Sequence, residues 1–319
     1  MLSRRHLRVK VLQAVYAFKL SGYSDVTQGE KLLQSSLDKL YELYINQVAF
    51  LIELTEYARL RIEDAKLKFF PTEAESNPNM RFADNRLIMK ISENRDFRKN
   101  YDKYHVNLVT ELEIIKRVFG EIRELKEYKE YMDSPKDSFT ADRNFISTLI
   151  KVYFSENESL EDYYEDKNIF WAADYEIALM MIIKTIKAFE EDSLDIQKLP
   201  GLFDSDEEQA KEDKLFLLNL YRKTINHEDE YELLISSTLD NWELERIALM
   251  DNLLIRMAIC ELQEFPSIPV KVTLNEYIEI AKYFSTPRSS VFINGILDKL
   301  VEQLKTGNKI SKKGRGLME

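Results

Sequence analysis

Two stretches of this chain, between Gly29 and Gly120 and between Gly120 and Gly201, hold no glycine at all. The favoured hairpin turns place residues at positive φ, a conformation that glycine adopts at no steric cost. A sheet protein could hardly run so far without one. With only 8 Gly and 7 Pro in 319 residues, turn-formers are at roughly 5%, against about 12% in average usage. The chain therefore reads as all-α. Its 45% hydrophobic content suffices for packed cores, and its length fits two domains or one domain with a large insertion.

Apolar periodicity divides the chain into helices. Leu7, Val11, Ala14, Val15 and Phe18 share one face, which predicts an amphipathic helix over residues 3–20 that ends near Gly22. A long helical pattern follows over 27–70, broken by PTEAESNPN at 71–79. Helical segments are expected over 80–131 and 139–190. The turn and acidic run LPGLFDSDEEQAKED at 199–213 is the best candidate boundary. Further helices are expected at 214–226, 228–239, 241–264, 270–285 and 289–305.

Several function classes are disfavoured. Cys260 is the one cysteine, and His6, His105 and His227 are widely spaced, so no disulfide, thiolate zinc site or other metal site is expected. There is no GxGxxG, no GxxxxGK followed by Ser or Thr, and no HExxH. Neither a cofactor nor a catalytic group suggests itself, so an enzyme is not expected. The longest apolar run, Ile177 to Ile183, is far short of a membrane span. The expectation is a cytoplasmic protein with no membrane partner.

Charge is unevenly distributed. The overall net charge is −11, yet residues 1–10 carry Arg4, Arg5, Arg8 and Lys10, and residues 305–319 are also strongly basic. The acidic stretch between them repels phosphate at long range, which leaves room for nucleic acid only at a defined site.

The last hundred residues contain an ordered series. It begins with Trp242 and Arg246, then Asp251, Ile255-Arg256-Met257-Ala258 and Glu261-Leu262. It continues with Pro269-Val270, Asn275-Glu276, Ile278-Glu279 and Ala281-Lys282, and ends with Phe292, Asn294-Gly295, Leu297 and Asp298. With the arginine-rich opening, Gln13-Ala14 and Tyr16, this series resembles the NusB family of transcription antitermination factors. The resemblance covers residues 1–36 and 207–306. It implies a discontinuous domain of two small helical bundles, interrupted by an acidic helical insertion at 37–206 and followed by a basic disordered tail at 307–319. It also implies pairing with NusE, a ribosomal small-subunit protein. The pair would bind boxA, a single-stranded element in ribosomal RNA operons, within the antitermination complex on RNA polymerase.

The resemblance implies an RNA-binding set of Arg4, Arg5, His6, Arg8, Gln13, Tyr16, Ser289, Ser290 and Phe292. The residue chemistry agrees in part. Arg5, Gln13 and Tyr16 project away from the apolar stripe, and a guanidinium can fork onto phosphate while an aromatic ring stacks on an unpaired base. Arginines at a helix N-terminus oppose the helix dipole, so they are not there for helix stability. Ser289 or Ser290 could cap the last helix. Tyr16 and Phe292 could instead be core residues. Glu245, Asp251 and Arg288 match positions near the partner contact, Arg288 standing where relatives often carry a carboxylate. Two other functions compete. One is a helical interaction module that binds ribosomal or transcription partners without RNA recognition. The other is an RNA methyltransferase fragment, disfavoured because no glycine-rich cofactor loop occurs.

Overall fold

The computed structural model describes residues 2–22, 25–171, 174–239 and 247–317. Among these every regular element is a helix. The chain opens with α1 (Arg4–Ser21) and the long α2 (Val26–Lys66). There follow α3 (Glu73–Ser76), α4 (Arg86–Glu93), α5 (Arg95–Lys103), α6 (Leu112–Glu124), α7 (Lys126–Asp133), α8 (Phe139–Val152), α9 (Glu158–Lys167) and α10 (Tyr175–Ala188). The series closes with α11 (Glu207–Asn226), α12 (Glu228–Thr238), α13 (Leu249–Glu264), α14 (Val270–Phe284) and α15 (Ser289–Thr306). The helical stretch expected over 80–131 consists of α4 to α7. Asn85 and Asn94 explain two of the breaks, since each turns its side chain onto the backbone N–H three residues ahead and starts a new helix. The helix expected over 241–264 is seen from Leu249.

Two compact units result. One is Asp38–Leu202, and the other combines Leu2–Leu37 with Phe203–Glu319. In the first, the aromatic residues that crowd this stretch form the core. Phe82, Phe119 and Phe145 are buried, and Tyr131 stacks on Phe145 at 4.0 Å between ring centroids.

The discontinuous unit is built around α13, in which every residue from Asp251 to Leu262 is buried. A helix that is apolar on nearly all sides must be surrounded, and α1, α11, α12, α14 and α15 all pack against it. The opening turns of α2 also belong to this unit. There Gly29 is required, because a Cβ at that position would sit 1.8 Å from the Tyr221 hydroxyl oxygen of α11.

The polar residues of α13 are held from its neighbours. Arg256 reaches Glu228 and Glu232 of α12. Asp251 accepts from Ser289 at 2.8 Å and from Ser285. Each contact satisfies a charge that would otherwise be costly to bury.

The tail expected to be disordered is ordered as far as residue 317. Ile310 packs on the cluster of Leu262, Val301 and Leu304, and a 3-10 turn forms at Gly314–Leu317. An apolar anchor among the lysines gives the segment something to bury.

Candidate nucleic-acid interface

α1 starts with a capping box. Ser3 Oγ accepts from the His6 N–H at 3.3 Å, and His6 Nδ1 accepts from the Ser3 N–H at 3.2 Å. His6, expected in the RNA set, is therefore half-buried with one ring nitrogen engaged in the cap.

All three arginines meet carboxylates brought by other helices. Arg4 Nε donates to Asp213 of α11 at 3.1 Å, with Glu212 at 3.6 Å. Arg5 makes a fork onto Glu276 of α14, both bonds 2.9 Å long. Arg8 makes a second fork onto Glu261 of α13, at 2.7 Å twice. The Phe216 ring lies 5.2 Å from the Arg4 guanidinium and 5.3 Å from that of Arg8. These contacts pin α1 to its bundle, a tertiary role distinct from the stability of the helix itself.

Arg8 itself must leave the RNA set. It is 2% exposed, and Glu261 is fully buried. Burial alone would lower the Arg8 guanidinium, but the charge and hydrogen bonds of Glu261 outweigh it and hold the group above its ordinary value. Glu261 also accepts from Thr273 at 2.9 Å and Tyr277 at 3.2 Å. The result is an interior network whose remaining outward link is Arg8 itself, at the floor of the cleft described below and 3.6 Å from Glu276.

Arg5 differs because it is exposed. Burial would raise the Glu276 carboxyl, but the Arg5 hydrogen bond and the nearby Arg8 charge keep it below the usual range. Along the same face of α1 come half-buried Gln13 and exposed Tyr16, and positions 5, 9, 13, 16 and 20 lie one above another on a helix. Tyr16 is 36% exposed and so is not the core residue that its type allowed.

The charge pairs also fix how α1 lies. Arg8 meets Glu261 near the end of α13, while Lys19 shares Glu228 with Arg256 five residues earlier, so α1 runs antiparallel to α13. Glu261 meets Thr273 and Tyr277 early in α14 whereas Asp251 meets Ser285 just past its end, so α14 runs antiparallel to α13. Hence α1 and α14 are parallel, joined by Arg5 and Glu276. Tyr16 lies about 16 Å beyond Arg5 along α1, at 1.5 Å per residue.

At the turn that leads from α14 into α15 two expected site residues prove interior. Ser289 is 2% exposed and Asp251 is 6% exposed, and they bond to each other. They brace the α14–α15 turn against the start of α13 and cannot greet an RNA or a partner. Neither Ser289 nor Ser290 caps α15: its N-cap is Arg288, with no side-chain capping bond, and Ser290 is half-buried. Phe292 is also half-buried, between the two expectations for it. Arg288 is exposed and is flanked by Tyr283 and Val291, which are 79% and 77% exposed. Glu245, with Trp242 and Arg246, lies outside the described residues.

The start of α1 borders a cleft of about 880 Å³. Arg4, Arg5, His6, Phe216 and Glu276 line it, together with Arg315 from the tail. Sequence reasoning did not single out Phe216 or Arg315, and it read the acidic run that supplies Glu212 and Asp213 as a boundary. Burial pushes the Cys260 thiol up to about 12, and among the described residues no group of His, Cys, Asp or Glu could hold a metal. No helix among them is long and apolar enough to cross a membrane.

Comparison with known proteins is consistent with this architecture. The model of the NusB family matches residues 172–302, which begins within the stretch read as insertion and omits α1. The transcription antitermination protein NusB of Salinibacter ruber is 38% identical over 138 residues, 43% of this chain and 86% of that protein. The protein of the same name from Chloroherpeton thalassium is 41% identical over 106 residues, 33% of this chain and 50% of its own length.

Proposed function

The chain belongs to the NusB family, and on that premise we propose that it is an RNA-binding transcription antitermination factor that works with NusE. Its ligand on this reading is boxA-like single-stranded RNA of ribosomal RNA operons, within the antitermination complex on RNA polymerase. The role is one of binding, with no catalytic step. The supporting observation is that exposed Arg5, half-buried Gln13 and exposed Tyr16 share one face of α1.

The chemistry follows from what each group can release. Arg5 is the exposed half of its pair with half-buried Glu276. A phosphate can take over the guanidinium while Glu276 keeps the Arg8 charge, 3.6 Å away, as its counter-charge. Tyr16 offers a ring face for a splayed base, typically about 1–3 kcal/mol per stacked base. Gln13 can donate and accept at a base edge. Arg4 and His6 stand with Arg5 at the cleft, and half-buried Ser290 and Phe292 of α15 complete the set assigned to RNA on this reading. Arg288, with exposed Tyr283 and Val291 beside it, is the surface we assign to the protein partner.

A second reading has one specific observation in its favour: Arg4, Arg5 and Arg8 are each already paired with carboxylates. A module that had lost RNA recognition would look the same in this respect. Titration of a labelled boxA-like strand, with and without NusE, separates the two. The RNA reading expects binding that weakens steeply with salt, and a loss in R5Q and Y16A. No binding in either condition, with NusE still captured, would leave only the interaction module.

A further inference from the structure

After α15 the chain turns back at Gly307 and Asn308 and is fastened at successive points. Lys309 N–H donates to Leu304 O at 2.8 Å, and Ile310 enters the apolar cluster of α13 and α15. Lys312 Nζ donates to Phe265 O at 3.1 Å, directly after the last turn of α13, where a cation also meets the negative end of the helix dipole. Lys313 N–H donates to Pro266 O at 2.9 Å.

Gly316 then presses on the same carbonyl so closely that a Cβ would lie 1.9 Å from Pro266 O. Gly314 has φ +55°, a left-handed conformation that glycine favours. A segment held by an apolar anchor, three donors and a glycine contact is a built part of the fold.

What this fastening delivers is Arg315. Its side chain is exposed on the rim of the cleft that Arg4, Arg5 and Phe216 also line. Arg4 and Arg5 are each neutralised by a carboxylate, whereas among the described residues Arg315 has no hydrogen bond or ion pair. In a protein of net charge −11, an uncompensated guanidinium held at a fixed place is where a polyanion gains most.

We propose that the docked tail is part of the ligand interface, presenting Arg315 to a phosphate of the single-stranded RNA that enters the cleft. This rests on the RNA reading above and adds to it a phosphate contact from the C-terminal segment. The first contact can form at Arg315 without breaking an internal pair, and it lowers the cost of opening Arg5 from Glu276 next to it.

The test uses the full chain and a fluorescein-labelled boxA-like strand, titrated across a salt series with NusE present. R315Q removes the cation. G316V leaves every charge in place but forces the segment off Pro266. K313Q removes an exposed neighbouring charge as a control.

R315Q is expected to weaken binding about three- to tenfold at 0.1 M salt and to lower the slope of log K against log salt by about one. G316V should match it, the double variant should add nothing, and K313Q should stay close to wild type. Circular dichroism and the unfolding midpoint verify that each variant is folded. If R315Q and G316V bind like wild type while R5Q is weakened, the tail assignment is wrong and the RNA reading survives. If K313Q equals R315Q, position does not matter and the assignment is again wrong. If the wild type binds no RNA, both readings fall.

Discussion

Replacing Arg8 by Met tests the claim that this arginine belongs to the interior. The Glu261 carboxylate is fully buried and takes two charge-assisted hydrogen bonds from Arg8 at 2.7 Å, besides weaker neutral ones from Thr273 and Tyr277. Methionine keeps the apolar stem but leaves an ionised group in the core with hydroxyl donors only. Breaking one side of a buried pair costs about 3–5 kcal/mol, much of it from the uncompensated charge left behind. Removing both charges is far milder, so R8M/E261L should recover most of the loss. Urea denaturation followed by circular dichroism would measure both variants. If R8M lies within about 1 kcal/mol of wild type, or if the double variant is no better than R8M, the buried network is not the brace described here.

Other parts of the fold give further expectations. Gly29→Ala should destabilise by about 1–3 kcal/mol through overpacking against Tyr221, and Y221F should restore part of it in a denaturation series, since the hydroxyl is the nearest atom. Asp251→Ala leaves the Ser285 and Ser289 hydroxyls without their acceptor. It should cost about 1–3 kcal/mol in thermal unfolding, while partner capture by the folded variant stays unchanged. Lys312 is pushed down to about 8 by burial, against 10.5 for the free side chain. Between those values the unfolded chain binds the extra proton, so the lysine's contribution to stability grows as pH rises from 8 to 10.5. The stability difference between wild type and K312M should shift in favour of wild type between pH 7 and pH 10, and a shift the other way would contradict the half-buried placement.

The helical class was legible because it depends on what is scarce in the chain, and glycine-free runs cannot build many tight turns. The apolar stripe of α1 was legible for the same local reason. Glu261 was met only as a match in the ordered series, and nothing in its neighbourhood announced that it is fully buried. Nor could the sequence show which cation meets it. Arg5 and Arg8 are equivalent in a linear reading, and the difference arises from where Glu276 and Glu261 stand on two distant helices. Asp251 and Ser289 resemble interface residues until their 2.8 Å bond is seen. The tail misleads in the opposite direction, because its lysines and glycines have the composition of a solvated end. The carbonyls of Leu304, Phe265 and Pro266 give those residues a structural role.

Photocrosslinking of the full chain to a boxA-like strand carrying 4-thiouridine, with peptide mapping, tests the central claim most directly. The account predicts adducts on the exposed line of α1, with Tyr16 foremost, and on the segment around residues 286–292. Adducts confined to residues 38–202, or none on α1, would contradict it.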